Sequence, residues 1–259
     1  MTADRSVDDT AGKPFVVPCA RLTFGSPFRW LRAGWRDLEL AREISLKFGL
    51  AIWIGSVALS ALAWYLGSFI LLAALLSGFV FLAPLLAVGL YSVAKAHEQD
   101  REPALSDALR LARRVVGQAG VFALVQMVIL MIWSRSGMVL NALFMIERGD
   151  PQVFLQFIAV GSAIGAVFAA FTFATAVFSL PMIADRDVDM VTACVSSINA
   201  VLRNKRVSVF WGLLIVSLTL LSFATAGLGL IITMPWLAYA AWHSYRETLD
   251  ATGWPEMPI

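Results

Sequence analysis

Of the 259 residues in this chain, 59% are hydrophobic and only 15% charged, and the mean hydropathy is +0.76. A water-soluble protein of this length carries about a quarter charged residues, so the composition excludes an ordinary soluble enzyme and fits lipid as the solvent. The net charge of +2 is too small to indicate a partner, and no nucleic-acid partner is expected; where the charges fall is more informative.

The chain opens on a polar stretch, residues 1–14, with no apolar core behind a basic start. It reads as a disordered or extended tail through residue 26, not as a signal peptide. A spanning helix needs about 20 apolar residues. Six stretches qualify: 46–66, 68–94, 118–134, 153–182, 207–225 and 227–245. They form a single transmembrane domain over 27–250, followed by a short tail at 251–259. Residues 138–146 are too short to span and read as an interfacial helix or an extension of the third span.

Each pair of spans follows a segment with a period-3.6 apolar stripe. In 30–44 the stripe is Leu31, Trp35, Leu38 and Ala41, with Arg32, Arg36, Glu39 and Glu43 elsewhere. In 104–116 it is Leu105, Ala108, Leu109, Ala112 and Val116, opposite Asp107, Arg110, Arg113 and Arg114. In 189–203 it is Val191, Cys194, Ile198 and Val201, opposite Thr192, Ser196, Asn199 and Arg203. The second span of each pair holds one proline, Pro84, Pro181 or Pro235, expected to kink it. The fold class expected is therefore all-α: six spans as three pseudo-repeated hairpins, each preceded by a cytoplasmic amphipathic helix. The basic faces of those helices are expected to meet anionic lipid headgroups.

Of the 20 Lys and Arg residues, 18 fall in segments on one side of this arrangement; only Arg135 and Arg148 fall on the other. The positive-inside rule then places both termini in the cytoplasm. Arg135 and Lys47 read as helix-end residues that snorkel to the interface.

Residues able to do chemistry are sparse. The expected spans hold no Asp or Glu in their interiors, and Gln126 is their most central strong polar side chain. His97 and His243 fall near cytoplasmic helix ends, with no Cys, Asp or Glu at ligand spacing in the sequence. Cys19 and Cys194 read as reduced, unpaired thiols. No catalytic, cofactor-binding or metal residues are expected, and no cofactor. The fourth span carries a row of small residues, Gly161, Gly165 and Ala169, expected to let helices approach closely within the protein or across a homodimer.

The string from Pro235 through Trp236, Trp242, His243 and Tyr245 to Arg246 resembles the C-terminal signature of an uncharacterised bacterial family of predicted integral membrane proteins, a domain of unknown function. There the string usually reads Pro-x-x-Gly-His-Ala-x-Trp-His-x-Tyr-Arg; here Ala238 and Tyr239 stand in place of Gly-His. The resemblance implies a six-helix inner-membrane protein of about this length. A label invoking cytochrome c oxidase subunit I, carried by some relatives, does not fit two histidines at helix ends. Two functions remain: a non-enzymatic scaffold, assembly or envelope-homeostasis factor acting with a membrane-protein partner, or a transporter or channel for a small or lipid-like solute.

Overall fold

A computed structural model describes residues 15–66, 88–144 and 151–257. The helices are α1 (Ser26–Leu40), α2 (Arg42–Leu66), α3 (88–98), α4 (Leu105–Phe144), α5 (Pro151–Ala176), α6 (Ser179–Asp185), α7 (Met190–Arg203), α8 (Lys205–Phe223) and α9 (Leu230–Thr248). Pro84 and most of the expected second span lie outside the described residues.

Among the described residues four segments are long and apolar enough to cross a membrane: Arg42–Leu62, Leu105–Leu140, Gln152–Asp185 and Lys205–Phe223. They coincide with the first, third, fourth and fifth expected spans. Their large apolar side chains point outward, among them Met131 and Ile132 of α4, Leu155 and Val167 of α5, and Leu220 and Leu221 of α8. In water such a surface would aggregate; in a bilayer it is solvated.

α9 is the helix expected as the sixth span, but it is not among the four. It packs against α1, α2, α6 and α8, and Tyr239, Ala240, Trp242 and Tyr245 are fully buried. Two apolar clusters surround it. Trp30, Phe178, Met182, Ile183 and Trp211 form one, and Val88, Val93, Leu111, Tyr239 and Trp242 form the other.

Three expected boundaries differ. First, the amphipathic segment 104–116, the third span and residues 138–144 join in the single 40-residue helix α4. No proline interrupts it, and each local residue tolerates helix. At 1.5 Å per residue it is about 60 Å long, roughly twice the hydrocarbon core, so it projects beyond the bilayer. Its first turns run coaxial with the segment expected as the third span, and Arg135 sits within the helix instead of at its end. Second, α5 stops at Ala176 and α6 begins at Ser179, so the chain breaks before Pro181 instead of bending through it. Pro181 is the third residue of α6, where its missing N–H would have no intrahelical partner. Third, the first amphipathic helix ends at Leu40 with Ala41 as its C-cap, and Arg42 already belongs to α2.

The buried faces also differ from the expected stripes. In α7 the buried residues are Thr192, Ala193, Ser196, Ser197 and Ala200, while Val191 is 59% exposed. The hydroxyls are buried because they serve backbone groups. Ser197 Oγ accepts from the Phe178 N–H at the α5–α6 break and donates to Ala174 O, and Ser196 Oγ accepts from the Val17 N–H. In α4 Asp107, Ala108, Leu111 and Val115 face inward, whereas Leu105, Leu109 and Val116 face out. In α1 Trp30, Gly34, Asp37 and Leu38 face inward and Trp35 is largely exposed. An outward apolar stripe is what a lipid neighbour requires.

The closest helix approaches are at Gly34 and Gly49. A Cβ at Gly34 would lie 2.6 Å from Ala240 N, and one at Gly49 only 1.9 Å from Ile231 O. At the expected packing row there is more room: Gly161 faces Leu140 at 3.9 Å, Gly165 faces Trp133 at 3.7 Å, and Ala169 is exposed.

Candidate functional site

Around the C-terminal half of α9 lie four of the five charged side chains buried among the described residues, Asp37, Lys95, Asp185 and Arg186, in two adjoining clusters. In the first, Asp37 projects from the inward face of α1 between His97, at the end of α3, and His243 of α9. His243 Nε2 lies 2.6 Å from Asp37 Oδ2, and His97 Nδ1 lies 3.3 Å from Oδ1. Burial works to raise the Asp37 carboxyl, but hydrogen bonds from His243 and His97, and then their charge, hold it below the ordinary value. The carboxylate in turn fixes the orientation of both rings. Next to it, Tyr239 shares a 2.8 Å hydrogen bond with Ser45 of α2. A cavity of about 530 Å³ opens beside Asp37, lined by residues of both signs including Arg36, Glu98, Arg101 and Glu102.

The second cluster centres on Asp185, the last residue of α6. Its carboxylate meets Lys95 Nζ at 3.0 Å, Arg186 Nε at 3.0 Å and Arg246 Nη1 at 3.3 Å, and it accepts from the Tyr245 hydroxyl at 2.8 Å. Lys95 also donates to Met257 O, Arg186 to Trp254 O, and the Met257 N–H to Asp185 O. Arg246 and Arg186 reach on to Glu98 and Glu256, at 3.2 Å each. The N-terminal segment docks alongside, with Ala20 N donating to Thr248 O and Asp250 N to Pro18 O. Both described ends of the chain are therefore fastened to one hub.

Within the 235–246 string, His243, Tyr245 and Arg246 bond the two carboxylates directly. The Trp236 indole donates to Leu31 O at 2.7 Å and stacks edge-on against Trp35 at 5.1 Å. Trp242 is fully buried, with Tyr91 and Tyr245 at 6.3 and 5.9 Å between ring centroids. Pro235 lies inside α9, buried, where it removes the N–H that would serve Ile231 O. One residue beyond, Glu247 accepts from Ser26, Arg29 and Trp30 of α1. Gln126, expected as the central polar residue, donates to Thr175 Oγ1 at 3.0 Å and joins α4 to α5.

The residues that sequence reasoning missed are Asp37, Lys95 and Asp185. Asp37 had a visible signal: it falls at helical spacing from Trp30, Gly34 and Ala41, an acid on a buried face. His97 and His243 do acquire a carboxylate neighbour, from α1. Both imidazoles bond that carboxylate directly, and among the described residues no three His, Cys, Asp or Glu are arranged to hold a metal ion. What the arrangement does chemically is pair buried charges and lock helix ends together.

No curated protein and no solved structure matches the chain. One family comparison does match. The matched stretch supplies Lys95, His97 and Asp185 to the hub, whereas the 235–246 string and Asp37 lie outside it. Over residues 71–185 this chain matches the family model described as a predicted integral membrane protein, DUF2189.

Proposed function

We propose that this chain is a non-enzymatic scaffold, assembly or envelope-homeostasis factor of a bacterial inner membrane. The observation that carries the reading is the bonding of the hub. Asp37, Lys95, Asp185 and Arg186 are all buried, and each is matched by opposite charge or backbone oxygen from another element. Such saturated pairing suits a static clamp better than proton transfer or permeation, each of which needs an exchangeable partner. In this reading the chain crosses the membrane six times as three pseudo-repeated hairpins, with both termini cytoplasmic, and the hub forms its cytoplasmic end. The 18-to-2 distribution of Lys and Arg supports that orientation. A membrane-protein partner or a second copy would dock on the outward faces of the spans, the Gly161, Gly165 and Ala169 row included.

The cavity beside Asp37 favours a second reading, a transporter for a small solute, because its lining carries both signs of charge. Its lining residues belong to 33–40, 97–103 and position 243, at helix ends and not at mid-span. Affinity capture of the full chain from native membranes in mild detergent separates the two readings. A membrane protein recovered in fixed ratio is the expected result. A chain recovered alone that drives saturable solute uptake into proteoliposomes would overturn the scaffold reading.

A further inference from the structure

Away from the Asp37 cavity, four cations line one cleft with no acid among its lining residues. Asn204, at the corner between α7 and α8, builds it. Its Nδ2 donates to Ala20 O at 3.0 Å and to Ala200 O at 3.1 Å, while its Oδ1 accepts from the Leu22 N–H at 2.8 Å. Those bonds fix the extended N-terminal segment across the corner. Arg21, between the two anchor points, is thereby held in the same cleft as Arg203, Lys205 and Arg206. The cleft has a volume of about 770 Å³ and is lined by 19–24 and 202–207.

Six of the thirteen other described Lys and Arg residues, Arg29, Lys47, Lys95, Arg110, Arg186 and Arg246, have a carboxylate within ion-pair distance. Arg21, Arg203, Lys205 and Arg206 have none, and all four are exposed. Gathering like charges on a folded surface costs repulsion that a bound anion removes.

The surroundings identify the anion. Lys205 is the first residue of an apolar segment long enough to span a membrane. From it Val209, Leu213, Val216 and Leu220 continue at steps of three or four, and each is more than half exposed. They form one outward apolar face running down from the cleft. Phe24 and Phe28 cluster with Phe210 at the cleft's rim, ring centroids 6.1 and 5.6 Å apart, where aromatic residues gather at a membrane interface.

We infer that this cleft binds the phosphate headgroup of an anionic phospholipid, whose acyl chains lie along the Val209–Leu220 face of α8. The inference rests on α8 crossing the bilayer and is independent of the scaffold reading. Phosphate supplies the acceptor oxygens that guanidinium forks match, and the bilayer supplies the chain that the apolar face needs.

The test uses the full chain in detergent, titrated with phosphatidylglycerol, with phosphatidylcholine and with inorganic phosphate. The variant combines Arg21→Gln, Arg203→Gln and Arg206→Gln. A matched control, Arg42→Gln with Arg101→Gln and Arg135→Gln, removes the same charge elsewhere. At about fivefold per near-surface charge, the cleft variant is expected to bind phosphatidylglycerol on the order of a hundredfold more weakly, with the control close to wild type. Lysine at the three cleft positions should retain binding. Equal loss in the cleft variant and the control would overturn the site in favour of a diffuse charge effect. Binding of inorganic phosphate as tight as that of the lipid would overturn the lipid assignment, and unchanged binding in the cleft variant would overturn the inference altogether.

Discussion

Replacing Asp185 by alanine is expected to cost about 3–5 kcal/mol, enough to prevent accumulation of a marginally stable chain. The substitution leaves the nearly fully buried Lys95 without its carboxylate, leaves Arg186 only Glu256, and strips Tyr245 of its acceptor. An unpaired buried cation costs far more than the pair contributed, because its desolvation is no longer offset. Lys95→Met beside Asp185→Ala should therefore recover part of the loss, since the double variant buries one charge fewer. Thermal unfolding in detergent of the two single variants and the double variant measures this coupling. Strictly additive effects, or an Asp185→Ala protein as stable as wild type, would mean that the hub is ornamental.

Gly49→Ala is the second large effect expected. Pro235 cannot donate to Ile231 O, and the α2 backbone closes on that same carbonyl at Gly49. A methyl group there would lie 1.9 Å from the oxygen, with backbone on both sides of the clash, so no side-chain rotation relieves it. Overpacking commonly costs about 1–3 kcal/mol, and a backbone-to-backbone clash belongs at the upper end. Gly117→Ala serves as the control, because nothing lies within 4 Å of its Cβ position. There helix propensity favours alanine by up to about 1 kcal/mol. Similar melting temperatures for the two variants would refute the tight α2–α9 crossing.

Hydropathy made four spans legible because burial in lipid demands little beyond length and apolar content. The start of α7 was legible too: the expected segment opens at Asp189, whose side chain caps the helix by accepting from the Thr192 N–H. Which face turns inward was not. Periodicity finds a stripe but is silent on whether the apolar side meets protein or lipid, and in α7 the buried side is mostly small and polar. The Ser196 and Ser197 hydroxyls are inside because Val17 and the α5–α6 break need partners, which depends on segments distant in sequence. The same distance hid the hub. Asp37 and His243 are 206 positions apart, and Lys95 and Asp185 are 90 apart; no local spacing announces either pair. The glycines that bring helices closest, Gly34 and Gly49, are single residues opposite α9, whereas the conspicuous row on α5 allows ordinary contact distances.

The membrane crossing itself is tested most directly on α4, whose two ends are expected on opposite faces. On a background lacking Cys19 and Cys194, Ser106→Cys and Gly137→Cys place single thiols at exposed positions near the start and toward the end of that helix. An impermeant thiol reagent applied to intact cells should label Gly137→Cys and leave Ser106→Cys unmodified until the membrane is permeabilised. Labelling of Ser106→Cys in intact cells would contradict the cytoplasmic placement of the hub, and labelling of neither or both would contradict a crossing by α4.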